Sequence, residues 1–533
     1  MTANSLLSVS KSERNQLIAA TLAAIIIAIP ICLMVPLYQD DFERAVSGQY
    51  YWAGDGRPIS EFIYRLMSFG SPQVILTSPL GTLLCIPGIS LCSLLLCRIF
   101  DHRKTWGAAL AAILLFCSPY FIENLSFSFD SPMMVLSVFF SLSAAYLIVS
   151  YRSLFASFGS VFLTVCSLCL YQAANSALWI PIILFIIFRI RNAEFENENQ
   201  IAPNSLKSLK PTDRSNLEII RSLLLCMIIS LLIYKIIVLP NSGLLDYAIE
   251  HGSTAEFLNI PSKITENINL FYRDVVDDWD GKFGIAFGCF LIISIFFTSL
   301  DVEIYSKHSN RKRSMLYSSL RIILRILAAF IVLIFSYGIA LILEKPVFQP
   351  RAFTGIGIFL ASISLLSTRY INLNNWQNQS GFTVKTAKDL LVVVSSFAAA
   401  WACIYILYAY TNAYSSQQNL NEYYLGSIAN DVRRNGYGPT DIQKLAIKGK
   451  SPRSPISLNT FRSLPILKSH GRIGPVSYYW PNLNLMRYGF TELSMTNFSN
   501  VLKANQISSN PIYDLYVYDK TLFIEFKKFK RSL

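Results

Sequence analysis

Acids, guanidinium groups and aromatic rings crowd one stretch, YQDDFERAVSGQYYWAGDGRPISEFIYRLM, residues 38–67. Asp40 and Asp41 are adjacent, Arg44 lies one helical turn on, and Arg57-Pro58 follows a glycine-rich turn. A carboxylate can take a proton from a hydroxyl, and a guanidinium offers a planar fork of donors to phosphate oxygens. Tyr50, Tyr51 and Trp52 suit the faces of sugars and also the water–lipid boundary. The mixture fits a site for sugars and phosphates. The plain alternative is a set of solvated charges, with Asp40 capping the turn that follows.

Three further stretches add candidates. In EKPVFQPRAFTG, residues 344–355, Pro346 and Pro350 limit the freedom of a loop that carries Lys345 and Arg351. Both cations could bind phosphate, and both could equally meet lipid headgroups. SFSFDSP at 126–132 supplies Asp130, and LYQAANS at 170–176 supplies Tyr171 and Gln172, polar groups at span ends that could bind sugar hydroxyls. Ile59, Phe62, Ile63 and Leu66 recur at helical spacing, so an amphipathic helix lying at the interface is expected there.

Membrane spans are expected to carry these loops. Of 533 residues, 53% are hydrophobic and only 15% charged, which is no balance for a soluble globular chain. Residues 17–36 form an apolar run too long for a signal-peptide core and without a small-residue exit, so an uncleaved first span is expected. Ten more apolar segments follow, near 73–99, 107–122, 132–150, 154–170, 176–190, 219–240, 283–300, 322–344, 352–367 and 390–411. Disorder, collagen and coiled coil are excluded.

Eleven spans put the termini on opposite sides. The loops with Arg103 and Lys104, Arg152, Arg189 to Arg221, Lys307 to Arg313, and Arg369 to Lys388 hold the bases and are cytoplasmic by the positive-inside rule. The opposite loops, 37–72, 123–131, 171–175, 241–282 and 345–351, hold most of the acids and face outward. The net charge of +13 therefore reflects topology, and nucleic-acid binding is not expected. Residues 412–533 leave the membrane on the outer side as a small α/β domain, in which IYDLYVYD and TLFIEF alternate as paired strands do. Segment 192–215 reads as a cytoplasmic linker.

All ten cysteines fall within or beside expected spans, so no disulfide framework is implied. The four histidines, at 102, 251, 308 and 470, fall in loops or the terminal domain, which leaves an intramembrane proton relay without support. Asp278-x-Asp280 has the spacing that chelates a metal on a nucleotide in soluble glycosyltransferases. It falls in an outer loop, where nucleotide sugars are not supplied. An acidic interfacial helix is the better reading, with Asp277 or Asp280 free to help bind an acceptor sugar.

Taken in order, DDFER at 40–44, GRP at 56–58, FDSPMM at 129–134, LYQA at 170–173 and PRAFTG at 350–355 resemble the serotype-converting O-antigen glucosyltransferases of the Gtr type-II group. The resemblance spans the first 410 residues or so and belongs with the GT-C superfamily. It implies an all-α polytopic membrane protein, GT-C-like, over residues 1–411, in keeping with the about eleven transmembrane helices counted above; the periplasmic α/β domain, residues 412–533, carries no motif of the family. It further implies a bacterial inner-membrane enzyme with a cytoplasmic N-terminus. Its donor would be undecaprenyl-phosphate glucose and its acceptor the O-antigen of lipopolysaccharide. A donor flippase and a bactoprenol glucosyltransferase would act in the same pathway.

By that resemblance an acid in the first outer loop, Asp40 or Asp41, is the general base. Arg44, Arg57, Lys345 and Arg351 are the phosphate-binding candidates, and Asp130, Tyr171, Gln172, Tyr51 and Trp52 the sugar-binding ones. One displacement with one base inverts the anomeric centre. No cofactor is called for, and a divalent metal stays open. The rivals are a lipid-linked oligosaccharide polymerase or ligase and, outside enzymes, a polysaccharide or lipid transporter. A transporter predicts charges at mid-membrane and helices broken by Gly or Pro, and the spans hold almost no acids.

Overall fold

Each of the eleven apolar stretches contains a helix in the computed structural model, which describes residues 10–189, 214–279, 281–308, 315–371, 384–468, 473, 476 and 481–528. The expected linker 192–215 lies outside the described residues apart from its last two, as do His470 and Asp280. Helix α1 (Lys11–Met34) starts earlier than its apolar run because Ser10 and Glu13 close a capping box: the Ser10 side chain accepts the Glu13 N–H, and the Glu13 carboxylate accepts that of Ser10. The first outer loop then folds into two short helices, α2 (Asp40–Ser47) and α3 (Pro58–Met67).

Helices α4 (Leu80–Ile99), α5 (Thr105–Phe116), α6 (Pro119–Ser126), α7 (Ser131–Ser150), α8 (Leu154–Leu168) and α9 (Ser176–Ile187) follow. The stretch read as one span at 107–122 is two helices, since α6 bends away from α5 by 75°. Pro119, at the first position of α6, cannot continue the hydrogen bonding of α5. Next come α10 (Asn216–Ile233), which runs into a π-helical turn at Tyr234–Val238, then α11 (Asp246–Gly252), α12 (Ile260–Asp278), α13 (Lys282–His308), α14 (Met315–Ile334), α15 (Thr354–Thr368) and α16 (Val384–Arg434). Among the described residues seven helices are long and apolar enough to cross a membrane, eight if α5 and α6 count as one span. Three shorter apolar helices accompany them, at Leu154–Leu168, Gln172–Ile187 and Thr354–Thr368. The chain is a multi-pass membrane protein.

One end of this bundle gathers the bases. Arg98 pairs with Glu13 and Arg369 with Asp101, the Lys104 Nζ donates to the Thr368 carbonyl, and Lys388 pairs with Asp301. His102 is buried at this end with its Nε2 3.2 Å from the Thr368 hydroxyl. The other end gathers α2, α3, the turn before α7, the turn before α9 and the loop before α15.

Helix α16 passes position 411 without a break and ends inside the C-terminal unit. Its Tyr424, Leu425, Ile428, Ala429 and Val432 pack with Leu515, Val517, Leu522 and Ile524 in a core of their own. The sheet holds β1 (Lys444–Lys448), β2 (Ser494–Met495), β3 (Asn505–Ser509), β4 (Tyr513–Tyr518) and β5 (Thr521–Phe526) in the order β2-β1-β5-β4-β3. The expected pair β4 and β5 is antiparallel, with Tyr513 opposite Phe526, and turns at Asp519-Lys520, both at positive φ as a two-residue hairpin favours. Phe461, Leu464, Ile466 and Leu467, from the helix α17 (Pro455–Ser463) and the turn after it, join the core of the membrane bundle instead. Just past α18 (Pro481–Met486), the Arg487 guanidinium lies 5.3 Å over the ring of Phe42 in α2. The terminal unit thus sits on the end that carries the candidate residues.

Candidate active site

The two adjacent acids of α2 have opposite surroundings. Asp41 is wholly buried: its Oδ2 accepts the backbone N–H of Tyr38 at 3.0 Å and of Ser128 at 2.7 Å, and its Oδ1 that of Phe129 at 3.4 Å. It fastens the start of α2 to the turn before α7. Burial and the negative charge of Asp130 push its carboxyl up to about 8, against the Ser128 amide, Arg44 and the Tyr38 amide. Asp40 keeps 38% of its side chain exposed, and its Oδ2 stands 3.9 Å from Nη1 of Arg351. Gln39, immediately before it, holds φ at +44°, a left-handed backbone rare outside glycine and often found beside functional groups.

Arg351 is anchored through its peptide. Its N–H donates to Glu123 Oε2 at 3.1 Å, and its carbonyl accepts from Asn124 Nδ2 at 3.1 Å and from the Tyr171 hydroxyl at 2.7 Å. The guanidinium lies 5.2 Å over the Phe127 ring. Burial disfavours its charge, but Glu123 and Asp40 outweigh burial and hold it above the ordinary arginine value. Arg57 lies over Tyr171, 5.1 Å from that ring, with Nε donating to Gln172 Oε1 at 3.4 Å. The structure therefore brings Asp40, Arg351, Arg57 and Tyr171 together.

The loop carrying Arg57 is pinned by Gln172 and Tyr234. Gln172 Nε2 donates to the Asp55 carbonyl at 3.2 Å, and the Tyr234 hydroxyl donates to the Gly56 carbonyl at 2.9 Å. Gly56 sits at φ +75°, and a Cβ there would come within 2.7 Å of the Tyr234 oxygen, so only glycine fits. Asp55, half-buried on this loop, is pushed up by burial and by Asp130 and Asp40, with Arg57 and Arg44 opposing.

Several candidates support the site from behind. Asp130 is buried, takes the Arg44 guanidinium on Oδ2 and the Trp52 indole N–H on Oδ1, and so has both oxygens engaged within the protein. Arg44 is buried in turn, 4.5 Å over the Trp52 ring, and braces α2 instead of facing solvent. Trp52, expected to stack on a sugar, is 1% exposed and stacked on Tyr64 at 5.0 Å. The aromatics of the first loop spend their faces on a small core of their own with Val74 and Phe129. Tyr51 is half-buried, its hydroxyl donating to Gln49. Gln172 and Tyr171 are committed to the loop and to Arg351. Lys345 stands apart: its side chain is 64% exposed and pairs with Glu250 at 2.9 Å.

Asp278 is buried and hydrogen-bonded to Tyr120, and its expected partner Asp280 lies outside the described residues. Among the described residues no three His, Cys, Asp or Glu side chains form a metal site. Sequence reasoning missed Glu123, Asn124, Asp55 and Tyr234. Glu123 had a signal, being the sole charge between Lys104 and Asp130 in an apolar stretch.

A family profile described as Glucosyl transferase GtrII matches residues 29–362, from within α1 through most of α15 and across every residue of the candidate site. The chain belongs to this glucosyltransferase family. It is also 26% identical over 513 residues to a 55.3 kDa protein from Salmonella phage P22, encoded in the gtrB 5′ region, covering 94% of this chain and 96% of that one. That setting agrees with serotype-converting Gtr type-II proteins. Among solved structures, the archaeal oligosaccharyltransferase AglB from Archaeoglobus fulgidus, in complex with an inhibitory peptide and a dolichol-phosphate, matches at a TM-score of 0.34 and 12% identity. That match covers 88% of this chain and 65% of the archaeal one. The glucosyltransferase reads as a membrane glycosyltransferase whose accessible acid and paired arginines lie at one end of its bundle.

Proposed function

We propose that this protein moves glucose from undecaprenyl-phosphate glucose to the O-antigen of lipopolysaccharide on the periplasmic side of the bacterial inner membrane, with a GT-C-like architecture and inversion at the anomeric carbon. The observation that carries this reading is the half-exposed Asp40 beside Arg351, with Arg57 over Tyr171. Asp40 takes the proton of the acceptor hydroxyl as that oxygen attacks the anomeric carbon. The bond from that carbon to the phosphate oxygen breaks, and its electron pair leaves on the lipid phosphate. Arg351 and Arg57 meet the charge that gathers there, which favours the transition state over the ground state. Base help of this kind is worth roughly 10²–10⁴ in rate.

Asp41 is unsuited to the role, since all its hydrogen bonds point to backbone and no face of it is open. A site on the periplasmic side has no nucleotide sugars, so the donor arrives in the membrane from a bactoprenol glucosyltransferase by way of a flippase. Residues 412–533 form the acceptor side of the groove, and the Arg487–Phe42 contact joins them to the helix of the base. The test is purified enzyme in lipid with polyprenyl-phosphate glucose and lipopolysaccharide, following transfer, release of lipid phosphate and the anomer formed. Transfer without nucleotide is expected. Transfer from a nucleotide sugar alone would overturn the reading.

A further inference from the structure

Glu123 has two oxygens and spends each on a different wall of the site. Oε1 accepts the Tyr38 hydroxyl at 3.1 Å, and Oε2 accepts the Arg351 N–H at 3.1 Å. Tyr38 lies two residues before Asp40, its own N–H is taken by Asp41, and its hydroxyl also accepts Gln39 Nε2 at 2.6 Å. Arg351 is held on its carbonyl side by Asn124 and Tyr171. A short, buried path therefore runs from Tyr38, two residues before α2, through Glu123 to the loop before α15.

Opposite charges left to themselves close to about 2.7–2.9 Å. Asp40 and Arg351 stand 3.9 Å apart at their nearest oxygen and nitrogen. Resting on the transfer reaction above, we propose that Glu123 is a positioning residue that holds the Asp40 carboxylate and the Arg351 guanidinium at their working separation. Held apart, each keeps donors or lone pairs for substrate, the carboxylate for a hydroxyl and the guanidinium for a phosphate. The charge of Glu123 also balances the buried Arg351 when no anionic donor is present.

The sharpest variants are Tyr38→Phe, which cuts one end of the path and leaves Glu123 and Arg351 in place, Glu123→Ala, which cuts both, and the pair combined. A misplacement of about 1 Å can cost on the order of 10² in rate. Accordingly Glu123→Ala should lower kcat per folded enzyme by about that factor, and Tyr38→Phe by about tenfold. The double variant should be no slower than Glu123→Ala. Glu123→Gln, which keeps the shape and one acceptor, should recover most of the loss. Effects that multiply as for independent sites, or a fall in yield with kcat unchanged, would overturn the tie. Hydrogen exchange across 350–353 reads the tie without any donor. Tyr38→Phe does not touch Arg351, yet should speed exchange there, and unchanged exchange refutes the proposal. If wild-type enzyme fails with the lipid-linked donor while exchange behaves as expected, the reaction reading fails and the tie stands.

Discussion

Asp40 in α2 and Arg351 in the loop before α15, far apart in sequence, meet with 3.9 Å between Oδ2 and Nη1, and the neighbouring Asp41 faces the other way into backbone amides. The first prediction separates the two acids. Asp40→Asn removes the proton acceptor and should lower turnover by about 10²-fold or more with the protein inserted and abundant. Asp41→Asn can place its carbonyl oxygen where Oδ2 accepts both short hydrogen bonds, so it should keep most activity. Turnover that survives Asp40→Asn and vanishes in a well-folded Asp41→Asn would reverse the assignment.

The second prediction concerns the cations. Arg351→Ala should raise the donor KM and lower kcat together, and Arg351→Lys, which keeps charge and loses the planar fork, should fall between it and wild type. Arg57→Ala should act mainly on donor KM, since Gln172 and Tyr171 hold that guanidinium from outside the Asp40 path. Lys345→Ala should be close to wild type, because Lys345 is exposed and paired with Glu250. Steady-state kinetics against donor concentration tests all four. A Lys345→Ala defect as large as that of Arg351→Ala would move the phosphate to the other cation.

Much of the frame was legible because lipid imposes it. A span must be apolar over its length, and each of the eleven apolar stretches contains a helix, of which seven or eight among the described residues are long and apolar enough to cross. The hairpin of β4 and β5 was legible from alternation. Helix α3 also appeared where the spacing put it, with Phe62 and Leu66 outward and Ser60 and Tyr64 turned to the protein. The roles of Asp40 and Asp41 were not separable, because successive helical residues differ by about 100° and only tertiary packing decides which one faces the core. Trp52 misled for a related reason: an indole suits a sugar face and a buried stack equally, and Asp130 claimed its N–H. The apolar run 107–122 reads as one span, which passes over the break at Pro119, and the angle that brings Glu123 under Arg351 has no signature in a single sequence.

Asp130 and Arg44 give the third prediction. The pair is buried, so removing one partner leaves an uncompensated charge, at a cost of about 3–5 kcal/mol. Asp130→Ala should therefore reduce stability and yield sharply, measured by thermal unfolding in detergent. Arg44→Met with Asp130→Leu should recover part of the loss, because no lone charge stays behind. If Asp130→Ala is as stable as wild type and loses only sugar affinity, Asp130 faces substrate and the bracing role is wrong.

The last prediction follows from the Asp41 carboxyl, raised from 3.8 to about 8 by burial and Asp130. A carboxyl whose value rises on folding holds its proton more tightly in the folded protein than in the unfolded chain. Its contribution to stability is therefore fully present below about pH 4 and is lost as pH rises through about 8. Between those limits the unfolding temperature should fall with rising pH by more than in Asp41→Asn, where the neutral side chain copies the protonated acid at every pH. The comparison cancels the other titrating groups common to both proteins. A wild-type profile parallel to that of Asp41→Asn would mean that Asp41 keeps an ordinary carboxylate value in the fold. The three backbone N–H groups would then outweigh burial, and Asp41 would act as a charged clamp between α2 and the turn before α7.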